Sequence, residues 1–246
     1  MKFFEKYKLV LAGIILGFYL MAVVFSYTVE QSKNIVEVLN LLGGLISSAG
    51  AIAAIFTLIY VINEKRQEEQ NKQISYVNYI MVQFFNQTYV TLDYRNKVFK
   101  DYTQGDAEHC INLTMPRYSI DYLQAIDLEK SAFLIGSYDP NLFSKISHCR
   151  SNTASVTEYV DHRIKYQLNE IVKPCKDIVG VEGFSLDSVE KEVGVIPVYS
   201  LLTATDRILG QVDTLVGDLH KTHTLLYQEM KKKFPNEKFI KPYELT

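Results

Sequence analysis

The side chains that could do metal or nucleophilic chemistry are few and scattered. His109 with Cys110, His148 with Cys149, and Cys175 supply soft nitrogen and sulfur donors. Zinc sites draw such ligands in short spaced pairs, and no CxxC or HxxxH spacing joins these residues. Packing or surface roles are therefore expected for all five. His220 and His223 sit about one helical turn apart, and histidine titrates near neutral pH. His223 falls on an apolar seam, where a single polar residue often fixes register. Asp187, Glu190 and Glu192 cluster as nuclease carboxylates do, but Lys191 lies among them and no strand pattern carries them. They read as the polar side of a short helix. There is no glycine-rich phosphate loop, no GxSxG elbow and no kinase signature. The three cysteines read as reduced thiols. No catalytic, cofactor or metal residue is assigned, and the chain is not expected to be an enzyme. Acid–base pairs assembled from distant residues would escape this reading.

The elements that would position these residues begin with two long uncharged segments. Leu9 to Val29 covers 21 residues and Val38 to Asn63 covers 26, each free of Asp, Glu, Lys and Arg. A bilayer core is ~30 Å thick and a spanning helix needs ~20 mostly apolar residues. A transmembrane helical hairpin over 9–62 is therefore expected. The first segment exceeds the ~7–15 apolar residues of a cleaved signal peptide, and Phe25-Ser26-Tyr27 is too bulky for a cleavage site. Lys2, Lys6 and Lys8 precede the first segment, and Lys65, Arg66 and Lys72 follow the second. The loop near Glu30 and Asn34 carries only Lys33. The excess of Lys and Arg places both ends in the cytoplasm, with 1–8 as a short tail. The glycosylation-like triplets at Asn86 and Asn112 would then face the cytosol and are chance matches.

The second segment is about 39 Å long as a helix, longer than the hydrocarbon core, so it should tilt or project. Gly43, Ser47 and Ala51 lie four apart along it, and Gly13 and Gly17 share that spacing in the first segment. Small residues four apart let helix backbones approach closely in lipid. They serve either packing within the hairpin or an oligomer, in which Ser47 and Ser48 could line an opening. Glu37 reads as a boundary residue at the outer interface.

Beyond Ile62 the chain carries 22 basic and 25 acidic residues. That balance leaves no electrostatic footprint for nucleic acid. Sparse glycine and proline favour long helices, so the fold class is all-α, with the hairpin followed by a cytoplasmic bundle. A polar helical stalk is expected over 63–73 and a helical domain over 74–246. The helix leaving the second segment should reach about Tyr102, with Ile74, Val77, Met81, Phe84 and Leu92 as its apolar stripe. Thr103 to Met115 reads as a loop. Another helix should begin near Pro116 and run past Tyr122, Leu123 and Ile126 toward Ile135, ending at Gly136. Asp139 with Pro140 should start a long helix whose inner face is Ile146, Cys149, Thr153, Val156, Val160, Ile164 and Leu168. Gly180 and Gly183 flank a turn, and Ser185 to Val193 is at most a short capped helix. An inserted hairpin around Val193 to Val198 is the alternative there.

The last helix has the clearest pattern. Val198, Leu202, Thr205, Leu209, Val212, Val216, Leu219, His223, Leu226 and Met230 alternate at spacings of four and three, a heptad seam. Leu201, Ile208 and Leu215 widen the stripe, as a bundle requires. Lys231, Lys232 and Lys233 suit the negative end of the helix dipole.

Several stretches resemble small two-span bacterial membrane proteins of anti-phage defence, of the abortive-infection or retron-associated type. They are Gly43-Gly44-Leu45-Ile46-Ser47-Ser48-Ala49-Gly50-Ala51-Ile52-Ala53-Ala54, then Asn63-Glu64-Lys65-Arg66-Gln67, then Leu128-Glu129-Lys130-Ser131-Ala132-Phe133-Leu134-Ile135 with Asp139-Pro140-Asn141-Leu142-Phe143. The resemblance covers about residues 35 to 170. It implies a homo-oligomeric inner-membrane effector that permeabilises the bilayer when released by a regulatory protein or ribonucleoprotein complex encoded nearby. The alternative is a membrane-tethered scaffold or sensor whose helical domain recruits a cytosolic partner. A membrane-bound enzyme is the third reading.

Overall fold

The computed structural model describes residues 8–31, 35–117, 122–136, 139–178 and 183–244, and in 8–50 it describes side chains at 13, 16–27, 40, 43, 44, 47, 48 and 50. Lys2 and Lys6, the loop residues Lys33 and Asn34, and Gly180 lie outside the described residues. The chain is all-helical, with no strand among the described residues. It divides into two compact units, Met1–Lys72 and Gln73–Thr246.

The first unit holds helix α1, Lys8–Gln31, and the start of helix α2, Ile35–Val98. Their uncharged stretches, 9–29 and 38–63, are mostly apolar, and α2 continues through Gly43, Gly44 and Gly50 without a break. Among the described residues, no helix is long and apolar enough to cross a membrane. The large apolar side chains described here are nevertheless exposed: Phe18 by 67%, Leu58 by 60% and Ile55 by 58%. The hydroxyls of Ser48 and Thr57 donate to the carbonyls of Gly44 and Ala53, each at 2.8 Å. Such bonds to the preceding turn satisfy a hydroxyl within its own helix.

The second unit has a conventional buried core. Val77, Ile80, Met81 and Phe84 of α2 are fully buried, at spacings that keep one helix face inward. The helix ends at Val98, a few residues before the expected Tyr102.

Two expected elements differ. The segment read as a loop contains a helix, α3, Ala107–Asn112. Asp106 caps it, its carboxylate accepting from His109 N at 2.9 Å. Conversely, no long helix runs toward Ile135. Two 3₁₀ turns, Tyr122–Ala125 and Ala132–Gly136, stand in its place. The Tyr76 hydroxyl takes both backbone groups of Asp127, donating to its carbonyl and accepting from its N–H, each at 2.8 Å. The Asp127 carboxylate then accepts from the N–H groups of Glu129 and Lys130. These bonds take up groups that a helical ladder would need.

Helix α4, Leu142–Tyr166, starts after Asp139, whose carboxylate accepts from Asn141 N at 2.8 Å. It runs into a π-helical turn, Gln167–Val172. The wider turn rotates the inner face, so Leu168 is exposed while Arg163 and Ile171 are fully buried. Helix α5, Leu186–Val193, joins helix α6, Val195–Lys233, through Gly194 alone. Gly194 has φ +87°, a conformation that side chains other than glycine's rarely adopt. No hairpin forms there. Helix α6 packs along α4 and also against α3 and α5.

Candidate functional site

Two features could carry function. One is the buried centre of the second unit. The other is the uncovered apolar surface of the first.

Helix α6 forms the spine of the second unit. Val212, Val216, Leu219, His223 and Leu226 of the heptad seam are buried, whereas Leu202 and Leu209 are half-buried. Leu201, Ile208 and Leu215 are buried beside them. The stripe therefore centres one position away from a strict heptad in its first half. A straight helix of 3.6 residues per turn drifts by ~20° per heptad, which accounts for the shift.

Polar groups punctuate this seam, and Arg163 is the largest of them. It is fully buried. Its Nε donates to Thr205 Oγ1 at 3.0 Å and its Nη2 to the Cys110 carbonyl at 2.9 Å. Its Nη1 donates to the Leu113 carbonyl at 3.0 Å and to Gln167 Oε1 at 2.6 Å. All four acceptors are neutral, so carbonyl and hydroxyl dipoles solvate the cation. Burial lowers the Arg163 pKa from its ordinary value. The Gln167 amide extends the network by donating to the Ile111 carbonyl at 2.9 Å. One guanidinium thus ties α3, α4, α6 and the π turn together. Nearby, Tyr102 donates to Asp206 Oδ1 at 2.5 Å, and burial together with that bond raises the tyrosine's pKa.

Arg163 is not among the residues to which the sequence pattern assigns a role. Its position was a signal, since it lies three residues after Val160 and seven after Val156, within the apolar stripe. A charged residue at a seam position marks a buried polar contact.

The thiols sit within the same packing. Cys110 Sγ donates to Thr205 Oγ1 at 3.2 Å, and Cys149 Sγ lies 3.3 Å from Thr222 Oγ1. Burial raises the pKa of both, that of Cys149 to about 11, and burial also raises that of Cys175. At neutral pH they are protonated and are weak nucleophiles. His148 Nε2 pairs with Asn152 at 3.0 Å, and the His109 ring stands edge-on to Tyr102. Among the described residues, no group of three or more His, Cys, Asp or Glu side chains could hold a metal ion. Asp187 and Glu192 are exposed on α5.

His223 is 1% exposed, and its ring lies 6.1 Å from that of Phe84. Its Nε2 is 3.3 Å from the Ile240 carbonyl, and its Nδ1 is buried without a hydrogen-bond partner. Burial lowers its pKa to about 4, so it is neutral in the fold.

In the first unit, Gly13, Gly43, Ser47 and Ala51 are exposed and Gly17 is half-exposed. A Cβ built on Gly13, Gly17 or Gly43 meets nothing within 4 Å. No family model, curated protein or solved structure matches the chain.

Proposed function

We propose that the chain is a membrane-anchored effector of bacterial anti-phage defence, in which α1 and the first part of α2 permeabilise the inner membrane. A partner complex would restrain or trigger it through the second unit. The observation that carries this reading is the contrast between the units. Leu16, Phe18, Leu20, Ile52, Ile55 and Phe56 are exposed, whereas the core of the second unit buries side chains of the same kinds. An apolar surface this continuous requires a cover, from lipid or from another protein. Two uncharged stretches of 21 and 26 residues match a lipid cover. The helix-internal bonds of Ser48 and Thr57 fit a solvent that offers no hydrogen bonds.

The anti-phage assignment rests on the sequence resemblance given above. The basic residues flanking the segments orient both ends of the hairpin toward the cytosol. The open faces at Gly13, Gly17 and Gly43 favour contact between copies over packing within one chain. In the second unit, Val195, Ile196 and Tyr199 at the start of α6 are exposed, Ile196 by 80%. An apolar patch of that kind suits a partner surface.

The test is membrane potential in bacteria, read with a voltage-sensitive dye, after inducing the chain alone and then with its genomic neighbours. Depolarisation by the chain alone, relieved by the neighbours, supports the effector. A flat signal in both conditions and under phage challenge overturns it and favours the tethered scaffold.

A further inference from the structure

After α6 ends at Lys233, the chain turns at Phe234 and returns over the second unit with no helix or strand of its own. The Asn78 side chain reads its backbone at two residues. Asn78 Nδ2 donates to the Lys238 carbonyl at 3.2 Å, and Asn78 Oδ1 accepts from Ile240 N at 3.3 Å. One amide can reach the carbonyl of one residue and the N–H of the residue two later only if both point the same way, as they do in a strand. Between those contacts Phe239 is buried within the hydrophobic core. Further along, the Tyr243 ring lies 5.4 Å from Phe85 and 6.2 Å from Tyr89. From α6, His223 meets the Ile240 carbonyl, and Lys231 Nζ donates to the Glu237 carbonyl at 2.6 Å.

This is how a helical surface holds an extended peptide: a backbone clamp, one buried anchor and an aromatic shelf. We propose that the groove between α2 and α6 is an extended-peptide site, filled by residues 237–243 of the same chain and able to take the same segment from a second copy.

Three observations favour exchange between copies. The sequence seen to fit the groove is this one, and every copy carries it. Retention is limited, because one buried side chain, the Tyr243 ring contacts and a few hydrogen bonds hold the stretch from Glu237 to Tyr243, against the entropy of ordering it. Pro235, Asn236, Glu237 and Lys238 are exposed, so the hinge itself lies outside the core and opening withdraws Phe239 from it. Exchange of an identical element is a low-cost route to dimers.

The test uses the chain in detergent micelles. A labelled peptide of residues 234–244 should bind saturably to a chain truncated after Lys233. Phe239→Ala in the peptide should weaken binding by about tenfold or more, and Asn78→Ala in the protein should weaken it too. A truncated chain with full-length helicity that binds no peptide overturns the site. If the truncated chain does not fold, two full-length variants, Asn78→Cys and Lys238→Cys, are mixed and treated with a short bis-maleimide. A crosslinked pair of unlike copies supports exchange. Crosslinking only when both substitutions share one chain overturns it. Neither readout involves membrane potential, so the proposal stands or falls apart from the effector reading.

Discussion

Arg163 Nε donates to Thr205 Oγ1 at 3.0 Å, joining the last turn of α4 to the first third of α6 inside the core. The same hydroxyl donates to the Leu201 carbonyl at 2.8 Å and accepts from Cys110 Sγ at 3.2 Å. Removing the guanidinium takes the shorter bond from the Cys110 and Leu113 carbonyls and leaves each only one of 3.3 Å, from Leu113 N and Gln167 Nε2 respectively. Arg163→Leu should therefore destabilise the second unit by about 1–3 kcal/mol. Arg163→Lys should recover only part of the loss, since an ammonium cannot fork between these acceptors. Urea titration of the full chain in detergent, followed by far-ultraviolet circular dichroism, measures both. A shift below about 1 kcal/mol for Arg163→Leu would contradict the assigned role.

The elements that local pattern dictates were legible in the sequence. The spacing in α6 and the lack of breakers in α2 announced two long helices. What escaped depended on partners distant in sequence. The break between Tyr122 and Gly136 follows from Tyr76, 51 residues before Asp127. The burial of Ile171 in place of Leu168 follows from the π turn, which no periodicity of 3.6 anticipates. Asn112 looked like a stray glycosylation triplet, yet its amide brackets both backbone groups of Phe184. In the candidate site, Thr205 was readable as a seam position, whereas Arg163 showed only as a lone charge within an apolar stripe. A lone charge in a stripe acquires its meaning from carbonyls contributed by α3.

The thiols make a direct test of the core. Cys110, Cys149 and Cys175 are each at most 1% exposed, and burial raises the pKa of each. All three should resist maleimide at neutral pH in the native chain and react fully in denaturant. Intact-mass counting of adducts reads the outcome. A fast adduct on the folded chain would mean that this part of the core opens.

Gly183 has φ +105°, and a Cβ there would collide with the Asn112 side-chain oxygen. That oxygen accepts from Phe184 N at 2.8 Å, and the amide nitrogen donates to the Phe184 carbonyl at 2.9 Å. Gly183→Ala should cost about 1–3 kcal/mol through backbone strain and the displaced amide. Asn112→Ala should cost about 1–2 kcal/mol. The double variant should lose less than the sum, because both changes break one arrangement. Thermal melts of the four chains provide the cycle, and strict additivity would separate the two residues.

Among the described residues, an added Cβ on Gly43 meets nothing within 4 Å. A bulky residue there should leave a single copy unperturbed and obstruct contact between copies. Gly43→Leu and Ser47→Leu should therefore keep expression and membrane recovery while abolishing depolarisation. Replacing 9–62 with an unrelated hairpin should also abolish it. Full activity of the unrelated hairpin would show that these helices only anchor.

His223 should make stability depend on pH over a defined window. The groups facing its ring are His220 on the same helix, the Ile240 carbonyl from the returning segment and the Phe84 ring from α2. Its pKa falls from 6.5 to about 4, chiefly by burial, with His220 lowering it further and the bond to Ile240 opposing. Above 6.5 the residue is neutral whether the chain is folded or unfolded. Between that value and about 4 the unfolded chain binds a proton that the folded chain refuses, so stability rises with pH across this range. The stability present at pH 7 is lost on acidification, and the loss is complete below about 4, where both states are charged. Its size is of order 3 kcal/mol. His223→Gln keeps a donor for the Ile240 carbonyl and cannot titrate. Urea midpoints of the two chains should diverge as pH falls from 7 to 4, with the variant losing less. Parallel profiles would mean that His223 reaches water and protonates in place.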